Sequence, residues 1–470
     1  MLITTINGDQ YTIDINFDIC NDYCSFNNFI SEYLSNIDLT IKEKLNDNYI
    51  KYIYKGEIIN LDNYSWFIKT ISLLQPYILD NTLRSDFTEE YNNIESIIII
   101  FQNLPKIYFN DNSIAILVNG DIITDCDLLD NNIKKYKNIY STYEAFAAID
   151  DDDNIITWGN PHYGGKIKVE YNSFKAKKIY STGWSFAAIN ESGDVITWGG
   201  NIHGGNSDDV QHLLKNIKKI CATQNAFAAI DKDGNVITWG SPINGGDSSN
   251  VQHELKNIKE IYSTGWAFAA INKNGNVITW GKPEYGGNSS NVQHQLNNIK
   301  NIYSTHFAFA AIDNSESSNV ITWGSSINGG NSSHVKHLLK DIKKIYSTHW
   351  AFAAINESGN VITWGNHDNR GNIADKNIKV QLNNIKDIYS SERAFAAIDN
   401  DGNIITWGYR HYGDELNSNM KNQLKYIKKM YSIRNGFAAV DYNGKIIIWG
   451  DITNWENNFS IIQRYNDNLN

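Results

Sequence analysis

An all-β chain of tandem three-strand units is the fold class predicted here, on three observations. First, a phrase recurs eight times: Phe-Ala-Ala-Ile/Val, a short polar turn that holds Gly in six of the copies, three β-prone residues, then Trp-Gly. Its Phe residues are Phe146, Phe186, Phe227, Phe268, Phe309, Phe352, Phe395 and Phe437, answered by Trp158, Trp198, Trp239, Trp280, Trp323, Trp364, Trp407 and Trp449. Second, successive Phe positions differ by 40 to 43 residues, a period that marks stacked supersecondary units. Third, each unit holds three short runs rich in Ile, Val, Tyr and Thr, parted by tight turns, and no run shows a 3.6-residue period.

Within a unit, Lys-x-Ile-Tyr-Ser-Thr supplies the first strand, as at Lys259 to Thr264, and Phe-Ala-Ala begins the second. Turns such as Asn272-Lys273-Asn274-Gly275 then return the chain into the third, with Gly supplying a positive φ. Strands apolar on both faces must be covered on both, as when sheets pack face to face around an axis in a β-propeller. Paired alanines suit crowded positions between sheets, and the Trp a wider gap.

The unit "IYSTGWAFAAINKNGNVITWGKPEYGG" resembles the repeat of the regulator of chromosome condensation family, whose consensus runs Val-x-x-Gly-x-x-His-x-x-Ala-Leu, a turn Gly, Val-Tyr-x-Trp-Gly and a Gly-Gln-Leu-Gly segment. The resemblance implies a β-propeller, usually of seven blades, and covers roughly residues 105–450. Thr264 stands where that family has Gly, Ala267 where it has His, and Gly286-Gly287-Asn288-Ser289 where it has Gly-Gln-Leu-Gly. Fold therefore transfers better than function.

A length of 470 residues fits more than one compact unit. We expect an α+β head at 1–104, a propeller of seven or eight blades at 105–455 and a tail at 456–470. Residues 1–105 hold six basic and fifteen acidic side chains, net −9, within a total of −11. An acidic head on a near-neutral body argues against nucleic acid and anionic membranes as partners. The opening MLITTINGDQ carries no secretory signal and no long apolar run follows, so an intracellular protein, or one packaged in a virion, is expected. Four scattered cysteines, Cys20, Cys24, Cys126 and Cys221, make neither a disulfide framework nor a paired zinc site. Abundant Asn, Ile, Tyr and Lys suggest an AT-rich genome, such as a protist's or a large DNA virus's.

In the head, a hairpin is expected over 2–6 and 11–15, a helix over 26–37 behind Ser25 as N-cap, and strands over 49–54, 57–60 and 96–102. This order, and "YIKYIYKGEIINLD" as third and fourth strands, resembles the ubiquitin-like fold, with 63–93 as an insertion. Residues 105–130 hold a worn copy of the propeller unit, with Ile114-Ala115-Ile116 for Phe-Ala-Ala and Asp125 where Trp should be. Terminal repeats are often atypical.

Function is sought where the copies disagree. One variable place is the pair after Ser-Thr: Tyr143-Glu144, Gly183-Trp184, Gln224-Asn225, Gly265-Trp266, His306-Phe307, His349-Trp350, Glu392-Arg393 and Arg434-Asn435. The other is the loop after Trp-Gly. First and third strands of a meander run the same way, so both loops should emerge on one face. That face would gather Trp184, Trp266, Phe307, Trp350, Tyr285 and Tyr412 with His306, His349, Arg393, Arg410 and Arg434. Such residues on loops of a rigid scaffold are interface anchors; alternatively, the aromatics fold back to cap the core. The recurring His212, His253, His294 and His337 lie on separate units, too far apart to share a metal. A ring of strand-start lysines, Lys137 to Lys428, reads as a solvated edge.

No catalytic motif is present, and we expect no enzyme activity and no cofactor. Three function classes follow. The first is a scaffold whose variable face binds a protein while the head recruits another factor. The second, implied by the resemblance, is a nucleotide-exchange factor for a Ran-type small GTPase with chromatin association. The third is a self-associating structural subunit, for instance of a viral particle.

Overall fold

The computed structural model describes residues 135–366, 376–409 and most of 412–450, together with strand segments between 2 and 124. Five of those segments form one sheet in the order Gln10–Thr12, Leu2–Thr5, Ile97–Asn103, Asn48–Tyr54, Glu57–Ile59, with Leu2–Thr5 and Ile97–Asn103 parallel and every other pair antiparallel. The expected helix over 26–37 and the insertion over 63–93 lie outside the described residues.

All other described strands fall into nine three-stranded antiparallel sheets, the eight signature units and the worn copy. Lys106–Phe109, Ile114–Val118 and Asp121–Thr124 pair in the register used by every other unit: Ala115 faces Thr124 as Ala147 faces Thr157 and Ala269 faces Thr279. Backbone pairing therefore persists where the signature side chains are lost. We number the sheets one to nine from this copy.

The second strand lies central in each sheet, and in the second to ninth sheets its Phe and both alanines are fully buried. The two faces of a sheet differ in bulk. Between the fifth and sixth sheets, Ala267, Ala269, Ile271 and Val277 on one side meet Ile302, Phe309, Ala311, Ile321 and Trp323 on the other. Small against large at every junction gives native packing density with one repeated interface. In six units a glycine in the loop after the third strand completes the junction. Gly286 has φ +104°, and a Cβ there would lie 2.5 Å from the Phe309 ring. Phe309 stacks on Trp323 at 5.1 Å, whose indole N–H donates to the Gly286 carbonyl at 3.1 Å. The same Phe–Trp–Gly arrangement ties Trp198 to Gly164, Trp239 to Gly204, Trp280 to Gly245, Trp364 to Gly329 and Trp449 to Gly413.

After this glycine the chain turns back along the outer edge of its own sheet, which would otherwise present free ladder groups. In the fourth sheet Thr238 and Ser248 hydroxyls pair at 2.9 Å, Ser248 donates to the Gln252 side-chain carbonyl at 2.7 Å, and the Gln252 amide donates to the Val236 carbonyl at 2.9 Å. Gln211 and Gln293 repeat the clasp. In Val-Gln-His it is thus Gln that is used; His212, His253, His294 and His337 are exposed.

First strands lie innermost. Residues from all nine, running from Ile107 and Tyr108 to Ser432 and Ile433, line one axial cavity of about 900 Å³. The units therefore surround a common axis, as a propeller requires.

Candidate interaction surface

Both variable loops emerge at the same end of a sheet and in six units are latched together by a Thr or Ser hydroxyl. The Thr264 hydroxyl accepts from the Ala267 amide at 2.9 Å and donates to the Tyr285 carbonyl at 3.1 Å, joining the first loop to the second. Thr142, Thr182, Thr223, Thr305 and Ser391 make the same two bonds. The sequence signalled these residues by their constancy, yet variation alone was used to seek the site.

The two members of each variable pair diverge. The first turns toward the axis, where main-chain amides and carbonyls link neighbouring sheets: Tyr143 N–H to Gly183, Gly183 to Gln224, Gln224 to Gly265, Gly265 to His306, His306 to His349 and His349 to Glu392, each between 2.9 and 3.1 Å. The second turns outward against the other loop. Trp184 lies between Tyr163 at 4.3 Å and His203 at 4.8 Å. Trp266, Tyr285, Phe307 and Trp350 form a continuous row with centroid separations of 5.9, 5.0 and 4.8 Å. Cations flank this row. Lys282 stands over Trp266 and Tyr285 at 4.9 and 4.8 Å, and Arg393 over Trp350 and Tyr412 at 5.9 and 5.0 Å.

Trp184, Trp266, Phe307, Trp350, Tyr285, Arg393 and Tyr412 are all half-buried, each packed on its neighbours with part of its surface left in solvent. Arg410 and Arg434 lie outside the described residues. Sequence reasoning passed over Ile202, Ile243 and Ile327, which sit at one position in the loops after the third, fourth and sixth sheets and are 75%, 68% and 69% exposed. Formal charge is sparse in the variable pairs and in the first four residues after each Trp-Gly: among their described residues only Glu144, Lys282, Glu284, Glu392 and Arg393 carry it. The opposite face carries turns such as Asp151-Asp152-Asp153 and Lys232-Asp233.

At the axial rim His306 folds over Gly265, where a Cβ would lie 2.2 Å from its ring. His306 and His349 rings are 4.8 Å apart, and His349 Nδ1 is 3.4 Å from Glu392 Oε1. Burial first, and the neighbouring His349 second, pull the His306 imidazole down to about 4. A histidine depressed in the fold binds its proton more readily when unfolded, so its contribution to stability is present above pH ~6.5 and lost as pH falls toward 4. We expect the melting temperature to drop between pH 7 and 4.5, and to drop less in His306→Gln. Equal slopes in a thermal scan would exclude this role. Among the described residues no group of three His, Cys, Asp or Glu is arranged to hold a metal ion.

No protein-family model matches the chain, and no curated protein matches it. Solved structures do resemble it. The crystal structure of Prp20p from Saccharomyces cerevisiae, described with its binding properties to Gsp1p and histones, is 12% identical over 71% of this chain and 86% of that one, with a TM-score of 0.36. Yeast Prp20 bound to Kap60 is 14% identical over 66% and 86%, with a TM-score of 0.37. The ectodomain of the receptor kinase CR4 from Physcomitrella patens is 12% identical over 56% and 74%, with a TM-score of 0.34. Likeness at this level transfers no site. Among the described residues no helix is long and apolar enough to cross a membrane.

Proposed function

We propose that this chain is a non-enzymatic scaffold that captures a protein partner through the loop face of its propeller. The observation that carries the reading is the latch. In six units one Thr or Ser hydroxyl fixes two variable loops to each other and to a rigid sheet, so side chains change while their placement does not. Low charge and exposed Ile202, Ile243 and Ile327 favour a partner surface with apolar character over a strongly charged one. We also propose residues 1–104 as a ubiquitin-like docking head, on the strength of its strand order.

The test is quantitative capture by the full chain from cells of its source, compared across variants. Trp266→Ala with Trp350→Ala, and separately Ile202→Asp with Ile243→Asp and Ile327→Asp, should each remove the same captured species at least tenfold. Lys232→Ala with Asp233→Ala on the opposite face should leave it. Retention by both loop-face variants, or equal loss in the turn variant, overturns the proposal. Nucleotide release from a Ran-type GTPase should be unchanged by the chain; acceleration would favour exchange activity instead.

A further inference from the structure

Charge is handled differently at the two ends of the sheets. Toward the turns, lysines find carboxylates: Lys137 pairs with Asp153 at 2.7 Å, Lys177 with Glu191 at 2.8 Å and Lys215 with Asp194 at 2.9 Å. On the loop face, two cations rest on aromatic rings instead. Lys282 stands over Trp266 and Tyr285, and among the described residues no carboxylate pairs with its ammonium, Glu284 two residues along included. Arg393 lies against Trp350, Tyr409 and Tyr412 at 5.9, 5.5 and 5.0 Å. Its Nε is buried with no hydrogen-bond partner; Glu392 Oε1 is 3.7 Å away and is shared with His349 Nδ1 at 3.4 Å. Among the described residues nothing hydrogen-bonds the two terminal nitrogens, while 29% of the side chain reaches solvent.

A guanidinium stacked on rings and left without an acceptor is preorganised for a planar, bidentate carboxylate, because little side-chain freedom remains to be lost on binding. Between the two cations runs the aromatic row. The steps from Lys282 to Tyr285, Phe307, Trp350 and Arg393 are 4.8, 5.0, 4.8 and 5.9 Å, a path that at most about six residues of extended chain span. Tyr285 meets Phe307 at 64° and Phe307 meets Trp350 at 43°. Rings set edge against face offer no row of open parallel faces to nucleobases, whereas their mixed edges and faces suit apolar side chains. We propose, resting on capture at the loop face, that the partner presents an extended peptide segment whose apolar residues are flanked by two carboxylates, one for Arg393 and one for Lys282.

Selection of a random-peptide phage library on the full chain, followed by fluorescence-anisotropy titration of the enriched peptides, tests this. Enriched sequences should carry two acidic residues no more than about six positions apart, with apolar residues between them. Lys282→Gln and Arg393→Gln, which keep the row, should each weaken a selected peptide tenfold or more. Arg393→Glu should abolish its binding, and exchanging the matching carboxylate of the peptide for Lys should restore it. Enriched peptides without the acidic pair, or affinities unmoved by both glutamine substitutions, overturn the proposal. If Trp266→Ala with Trp350→Ala still removes binding in that case, the loop face remains the capture surface and only the carboxylate pair is lost. A single-stranded oligonucleotide that binds where no peptide is enriched overturns it in favour of nucleic acid.

Discussion

Gly286→Ala should lower the stability of the propeller by about 3 kcal/mol, combining strain at positive φ with overpacking. The backbone there has φ +104°, and the new methyl would meet the Phe309 ring at 2.5 Å inside a junction with no slack. Gly402→Ala is the control. Its φ of +83° is equally unsuited to alanine, but nothing lies within 4 Å of the added carbon, so about 1 kcal/mol is expected. Urea midpoints at unchanged slope read both. Similar losses at the two sites would show that φ alone is responsible and that the ring contact is immaterial.

Phe309→Ala should cost more, about 4 kcal/mol, because a fully buried ring stacked on Trp323 is replaced by a cavity. Combining it with Gly286→Ala gives a sharper result. Removing the ring removes the group that the Gly286 methyl would strike, so the double variant should be more stable than the sum predicts by about 1 to 2 kcal/mol. Additive losses would mean that loop and sheet do not bear on each other. Repeat arrays unfold segment by segment when one junction fails, so Phe309→Ala should also broaden the transition.

Much of this architecture was legible because the copies are nearly identical. The period, the three strands, the buried alanines and the shared face of both loops all follow from local pattern. What escaped depends on contacts between copies. Gly286-Gly287 looked like an eroded family motif, and only the neighbouring sheet reveals Phe309 and Trp323 closing on it. His253 drew notice for its type while Gln252 beside it clasps the edge. Adjacent members such as His306 and Phe307 were treated as one feature, though strand alternation sends them to different places. The worn first copy was legible from Ile114-Ala115-Ile116, but that its strands still pair in the common register was not. Aromatics nominated as anchors are half-buried because they pack on each other, whereas Ile202 and Ile243, unremarkable in sequence, stand in solvent.

The amide-to-carbonyl links around the axis, from Tyr143 through Glu392, use main-chain atoms alone. Tyrosine, glycine, glutamine, histidine and glutamate all occupy this circle without altering how one unit grips the next. Proline, which has no amide hydrogen, is the single residue type such a hoop forbids. The inner rim can therefore be rewritten wherever neighbouring rings leave room, as Tyr143 and His306 do not at Gly183 and Gly265, because its mechanical duty and its chemical identity reside in different atoms.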